Sequence, residues 1–268
     1  MTYGFIGTGN MGGALARAVA KQRGSEAVML ANRTAAKAEK LAAEIGAAAV
    51  TNEEIAAKCK YIFLGVKPQM MADMLSGISG ILGARRDGVV LVSMAAGLSC
   101  EKISDMAGGG FAVIRLMPNT PVSIGEGIVL YCANSLVTDA DRDELVSAVS
   151  AAGMTDAIDE KLIDAASAVS GCGPAFAYMF IEALADGAVE CGLPRAKALG
   201  YAAQMLLGSA ALALRSGEHP GKLKDDVCSP GGSTIKGVHA LEDAAFRAAA
   251  ADAVVKAYEK TVELGKGK

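Results

Sequence analysis

The 268-residue chain contains no tryptophan and only two histidines, and aromatic residues make up 4% of it. His219 and His239 alone cannot build a metal site, so none is expected. Cys59, Cys100, Cys132, Cys172, Cys191 and Cys228 are widely scattered and form no Cys-x-x-Cys pair. Reduced thiols in a cytoplasmic protein are therefore the expectation. Basic residues are not in excess: 26 Lys and Arg stand against 29 Asp and Glu, a net charge of −3. That balance argues against a nucleic-acid partner, which usually calls for a basic patch. No uninterrupted apolar run approaches the roughly 20 residues of a membrane span. The greasiest stretch, Pro174 to Ile181, runs into Glu182, Asp186 and Glu190, one polar stripe on an otherwise buried helix. A membrane partner is not expected. The opening Met-Thr-Tyr-Gly-Phe-Ile-Gly has no basic segment or small-residue cleavage site, so no secretory leader is expected either.

What is present divides in two. To about residue 155, short apolar runs at Tyr3–Ile6, Val28–Ala31, Tyr61–Val66, Val89–Met94, Val113–Met117 and Ile128–Tyr131 read as strands. Met11–Lys21, Ala35–Ile45 and Glu53–Lys58 between the first of them have helical composition. Strands alternating with helices predict a parallel sheet covered on both faces, and the unbroken apolarity of Ile62–Val66 fits such burial. From about Glu160 the pattern is helical: Lys161–Ser170, Pro174–Cys191, Arg195–Ser216, Thr234–Glu242 and Ala245–Leu264. The first four have apolar residues on more than one face, and small residues that permit close helix approach. About 110 residues of this kind shield themselves poorly, which favours an intertwined dimer over a monomeric bundle packed on the first half.

Gly7-Thr8-Gly9-Asn10-Met11-Gly12 fits Gly-x-Gly-x-x-Gly. In a chain with 32 glycines the match alone is weak, but it follows the first strand and opens the first helix. There the glycines serve a tight turn, close approach of backbone to a pyrophosphate, and helix–strand packing, while helix-end amides hold the phosphates. Asn32 lies twenty residues after Gly12, where NAD enzymes carry an acid for the ribose hydroxyl. Asn32-Arg33-Thr34 lacks that acid and offers a guanidinium and a hydroxyl, which favours NADPH over NADH. The alternative is an exposed arginine starting a helix. Other strand ends, Val66-Lys67-Pro68, Ala95-Ala96-Gly97 and Met117 to Pro121, should line the same crevice. Lys67 reads as a lysine facing solvent or phosphate rather than a catalytic one.

Two glycine-rich segments punctuate the helical half: Ser170-Gly171-Cys172-Gly173-Pro174 and Ser229-Pro230-Gly231-Gly232-Ser233-Thr234. Both can cap helices. The second also combines glycine amides, hydroxyls and a helix N-terminus, a receptor for a small carboxylate. Lys222 and Lys224 lie nearby, either drawing anions or simply on the surface.

These blocks, together with Asp225-Asp226-Val227-Cys228 ahead of Ser229, resemble the pyrroline-5-carboxylate reductase family across essentially the whole chain. The resemblance implies an α/β Rossmann-type doubly wound, mostly parallel sheet over residues 1–159. An all-α dimerisation and substrate-binding domain over residues 160–268 would follow. It implies hydride transfer from NADPH, with NADH accepted less well, to 1-pyrroline-5-carboxylate, giving L-proline in the last step of proline biosynthesis. By this resemblance Gly7, Thr8, Gly9, Asn10, Met11, Gly12, Asn32, Arg33, Thr34, Asn52, Val66, Lys67, Pro68, Ala95, Ala96, Gly97 and Asn119 line the cofactor. Glu160, Ser229, Gly231, Gly232, Ser233 and Thr234 hold the substrate, with Thr234 at the ring nitrogen as the catalytic contact. A homodimer, assembled in some members into a decamer, is also implied. The chain departs from some members at Cys172, where they have Ser, and at Asp226, where they have Asn. Rival readings are a reductase of another small cyclic imine or β-hydroxy acid, and a non-catalytic dinucleotide sensor.

Overall fold

The computed structural model describes residues 2–266, the side chain of Lys266 excepted. It divides into two compact units, Met1–Cys172 with Ala257–Lys268, and Gly173–Lys256.

The first unit is built on the strands β1 (Tyr3–Ile6), β2 (Val28–Ala31), β3 (Ala48–Ala49), β4 (Tyr61–Leu64), β5 (Val90–Ser93), β6 (Ala112–Pro118), β7 (Gly127–Ala133) and β8 (Gly153–Ala157). They form one sheet in the order β3-β2-β1-β4-β5-β6-β7-β8. Only the β6–β7 pairing is antiparallel among these. Its helices are α1 (Asn10–Arg23), α2 (Ala35–Ile45), α3 (Asn52–Lys58), α4 (Met71–Ala84), α5 (Cys100–Met106), α6 (Asp139–Val149) and α7 (Glu160–Ser170). The doubly wound, mostly parallel sheet expected from the sequence is present, with two strands more than its apolar runs announce. β3 has two residues, and β8 reads Gly-Met-Thr-Asp-Ala at the sheet edge. Edge strands need no apolar run, because one side of the ladder and much of their surface face solvent.

Side chains alternate between two cores. Tyr3, Phe5, Tyr61 and Phe63 join Leu15, Leu41 and Leu145 on one face. Ile6, Ile62, Leu64 and Leu91 join Ile55, Leu75, Ile103 and Ile163 on the other. Phe5 stacks on Phe63 with ring centroids 4.3 Å apart, and Tyr3 on Tyr61 at 5.5 Å. These are cross-strand neighbours in register. Full burial on both faces explains why β1 and β4 carry no polar alternation.

In packing terms the first unit continues past the division expected at residue 160, to Cys172. Ile163 of α7 is fully buried in the second core, and Arg115 of β6 pairs with Asp164 at 2.6 Å. An apolar contact and an ion pair hold α7 to the sheet, and neither is visible from helical composition.

The second unit contains α8 (Gly173–Glu190), α9 (Arg195–Ser216), α10 (Pro220–Val227), α11 (Ser233–Asp243) and the start of α12 (Phe246–Lys266). The short α10 was not foreseen. His219 caps it, its Nδ1 accepting the Gly221 amide at 3.0 Å, and Pro220 fills the first helical position, where a missing N–H costs nothing. Phe180 and Phe246 stack at 5.5 Å. The unit leaves large apolar side chains in water, including Met179 at 69%, Tyr201 at 62% and Leu214 at 81% exposure. Surface of that kind marks an interaction face. By length and composition Glu160–Glu190 holds an 18-residue window of mean hydropathy 1.3, apolar enough to cross a bilayer. In the single chain α8 is not the otherwise buried helix expected, since Ala185 is its one buried residue. The stretch is two helices interrupted at Gly171 and Cys172, with Glu182, Asp186 and Glu190 exposed.

Candidate functional site

The carboxyl ends of β2, β1, β4, β5 and β6 lie along one edge of the sheet, as parallel strands require, and the expected cofactor residues of the first unit follow them. The turn after β1 shows three separate glycine roles. Gly7 has φ +102° and lies against the Gly65 backbone, where an added Cβ would come 2.6 Å from the carbonyl oxygen. A Cβ on Gly12 would overlap the Gly7 carbonyl oxygen, whereas one on Gly9 would meet nothing within 4 Å. Gly7 therefore makes the turn, Gly12 packs helix on strand, and Gly9 leaves open space for a ligand to approach the backbone. Gly9 is also the N-cap of α1 and supplies no side-chain cap, so the helix presents uncapped amides to an anion. The Thr8 hydroxyl is buried without a hydrogen-bond partner among the described residues. An orphaned hydroxyl beside free amides suits a phosphate oxygen as the missing acceptor. The turn thus fits a dinucleotide.

Asn32 braces this turn. Its Oδ1 accepts the Thr8 amide at 3.1 Å and its Nδ2 donates to the Thr34 carbonyl at 3.2 Å. Arg33 and Thr34 are exposed, and Arg33 makes no ion pair among the described residues. Thr8 to Met11 border a cavity of about 560 Å³ that Lys37, Lys40, Arg17, Thr120 and Ser123 also line. Arg17 is paired with Glu44 at 2.7 Å. Lys37 was missed in the sequence, although it stands one turn into the helix that Thr34 precedes. That spacing was the available signal.

Elsewhere along the edge, Lys67 is exposed on extended backbone before Pro68, and Val66 is half-buried. Ala95 is buried and its amide donates to Ser93 Oγ at 3.3 Å. Gly97, with φ +74°, lies against Gly265 near the end of α12. Asn52 opens α3 behind a capping box formed by Thr51 and Glu54. The Asn119 carboxamide is engaged by the fold, donating to the Ser170 carbonyl and accepting the Ile128 amide, both at 3.0 Å.

Glu160 also lies in the first unit, at the start of α7. Its Oε1 accepts the Cys100 amide at 2.7 Å and lies 3.7 Å from Arg115 Nη1. Arg115 is 3% exposed, and no feature of the sequence announced this cluster.

The second unit holds Ser229 to Thr234 by itself. Gly231 has φ +70°, the Gly232 amide donates to the Ser229 carbonyl at 3.0 Å, and Ser233 and Thr234 form the exposed first residues of α11. Gly232 is the N-cap, and no side chain caps the helix. The side-chain cap open to this segment in the sequence is therefore not made, and the amides stay available to a carboxylate. Lys222 and Lys224 make exposed ion pairs with Asp226 at 2.9 Å and Asp225 at 2.5 Å.

Comparison with known proteins decides the family. The chain is 40% identical to the pyrroline-5-carboxylate reductase of Escherichia coli (strain K12) over 266 residues, 98% of each chain. It belongs to the pyrroline-5-carboxylate reductase family. The pea (Pisum sativum) protein of that name is 37% identical, across 98% of this chain and 96% of its own. The Plasmodium falciparum pyrroline carboxylate reductase, solved with NADP bound, superposes with a TM-score of 0.89 at 33% identity, covering 99% and 98% of the two chains. The family model described as pyrroline-5-carboxylate reductase dimerisation matches residues 160–264, and that described as NADP oxidoreductase coenzyme F420-dependent matches residues 2–97. The expected Rossmann-type half and helical dimerisation half are both borne out, and the chain is an NAD(P)H-dependent oxidoreductase.

Proposed function

We propose that the chain reduces 1-pyrroline-5-carboxylate to L-proline, with NADPH preferred to NADH. The observation that carries the reading is the bare N-terminus of α11 behind Pro230-Gly231-Gly232, in a chain whose other unit holds a dinucleotide turn with an orphaned Thr8 hydroxyl. The uncapped amides and the Ser233 hydroxyl bind the substrate carboxylate. Thr234 hydrogen-bonds the ring nitrogen and sets the ring's tilt. The bound dinucleotide supplies the hydride. A protonated cyclic imine is already electrophilic at carbon, so the protein's task is to hold, orient and exclude water. A hydroxyl is a poor acid near neutral pH, so water rather than Thr234 delivers the proton.

Arg33, Thr34 and Lys37 form the cationic and hydroxyl-bearing end of the cofactor site, which suits a 2′-phosphate. The apolar faces of the helical unit are the basis for a homodimer, with a decamer of such dimers as the higher assembly. A cytoplasmic location, without nucleic-acid, membrane or metal partners, completes the reading. The deciding assay supplies the imine and NADPH to purified protein and measures dinucleotide oxidation and proline together. Oxidation without proline, or neither, would overturn the assignment. Light scattering decides between dimer and decamer.

A further inference from the structure

Cys100 opens α5 and Cys132 lies in β7, and the two sulfurs and a Glu160 carboxylate oxygen all lie within 4.8 Å of one another. Both cysteines are buried, at 1% and 6% exposure. Cys132 is the register partner of Arg115 across the antiparallel β6–β7 pair, so their side chains share one face of the sheet. Arg115 holds Asp164 through Nη2, while its buried Nε has no partner among the described residues. Hydrogen bonding from Cys100 pulls the Cys132 thiol down against burial and the Glu160 charge, and the same bond pushes the Cys100 thiol up. The arrangement thereby sets two buried thiols side by side, no more than 4.8 Å apart. A metal is the weaker occupant, because the Arg115 guanidinium stands 3.7 Å from the oxygen donor and repels a cation.

We propose that Cys100 and Cys132 are a peroxide-sensitive pair that closes to an intramolecular disulfide and so disturbs the cofactor loop. One thiolate of the pair attacks hydrogen peroxide, the O–O bond breaks, and the departing hydroxide takes a proton to leave as water. The other sulfur, losing its proton, then attacks the sulfenic acid so formed; the S–O bond breaks and a second water leaves. Two thiols are oxidised and one peroxide is reduced. A disulfide spans about 2.0 Å between sulfurs, so closure pulls the first turn of α5 toward β7. Cys100 is three residues after Gly97, whose backbone lies against Gly265. The pull therefore passes through Leu98 and Ser99 to Gly97, the end of the Ala95 to Gly97 loop. Only this last consequence rests on that loop lining the dinucleotide.

The test treats the reduced full-length protein with hydrogen peroxide, alkylates remaining thiols and maps the peptides. The expected product is a Cys100–Cys132 linked peptide, about 2 Da lighter than the two reduced peptides together, that disappears with a thiol reductant. NADPH affinity, read by titration, should fall at least about fivefold and recover on reduction. Cys100→Ser and Cys132→Ser should each abolish this peroxide response. Both thiols still alkylated, Cys132 linked to another cysteine, or stoichiometric zinc bound by the reduced chain would each overturn the site. The linked peptide with unchanged NADPH affinity would overturn the coupling to the cofactor loop. Mapping of the wild-type chain decides the disulfide even if a variant folds poorly.

Discussion

Asn32 Oδ1 accepts the Thr8 backbone amide at 3.1 Å, which ties the end of β2 to the glycine turn after β1. A residue at the position that reads the ribose in NAD enzymes is here also a strut for the turn, and an uncharged one. Its neutrality leaves a 2′-phosphate unopposed, while its oxygen preserves the bond to Thr8.

Asn32→Asp keeps that acceptor oxygen and adds a negative charge. KM for NADPH should rise at least about tenfold through repulsion of the phosphate, with KM for NADH nearly unchanged. Steady-state kinetics with both cofactors check this, and an equal effect on the two would remove the electrostatic explanation.

Arg33→Ala removes a cation that pairs with nothing else among the described residues. NADPH should bind about ten- to a hundredfold more weakly, and NADH should lose little. Parallel losses would show that Arg33 does not contact the 2′-phosphate.

Gly12→Ala places a Cβ on the Gly7 carbonyl oxygen. Backbone cannot rotate aside as a side chain can, so a stability loss of about 1–3 kcal/mol is expected, with weakened dinucleotide binding. Gly9→Ala meets open space, so it should keep normal stability yet lose dinucleotide affinity. Denaturant unfolding and dinucleotide titration of both variants separate the two roles.

Thr234→Ala should lower kcat/KM for the imine about tenfold while leaving NADPH affinity intact. An unchanged kcat/KM would take Thr234 out of the site.

Burial, followed by the hydrogen bond with Glu144, pushes the Tyr3 hydroxyl up to about 12. Its stabilisation is complete below the ordinary value of about 10 and is lost as pH rises toward 12. Tyr3→Phe should therefore lose less stability than the native chain between those pH values. Melting temperatures measured across the interval would show parallel slopes if the idea is wrong.

Much of the candidate site was legible because its parts are local in sequence. The glycine turn, Asn32-Arg33-Thr34 and Ser229 to Thr234 each declare their chemistry within a few residues. The Arg115–Glu160–Asp164 network and the Cys100–Cys132 approach did not show, because their members come from strands and helices far apart in the chain. The short β8 and α10 were missed for a related reason. An exposed edge strand needs no apolar run, and α10 is set by one histidine cap and one proline.

Composition and local pattern alone determined that the chain would build a buried parallel sheet ending in glycine turns that open helices, because burial and glycine geometry act over a few residues. Tertiary structure decided which buried groups meet, which hydroxyl stays unpaired and where α7 packs. Those outcomes depend on strand register and helix docking, which bring together residues that no window of sequence contains.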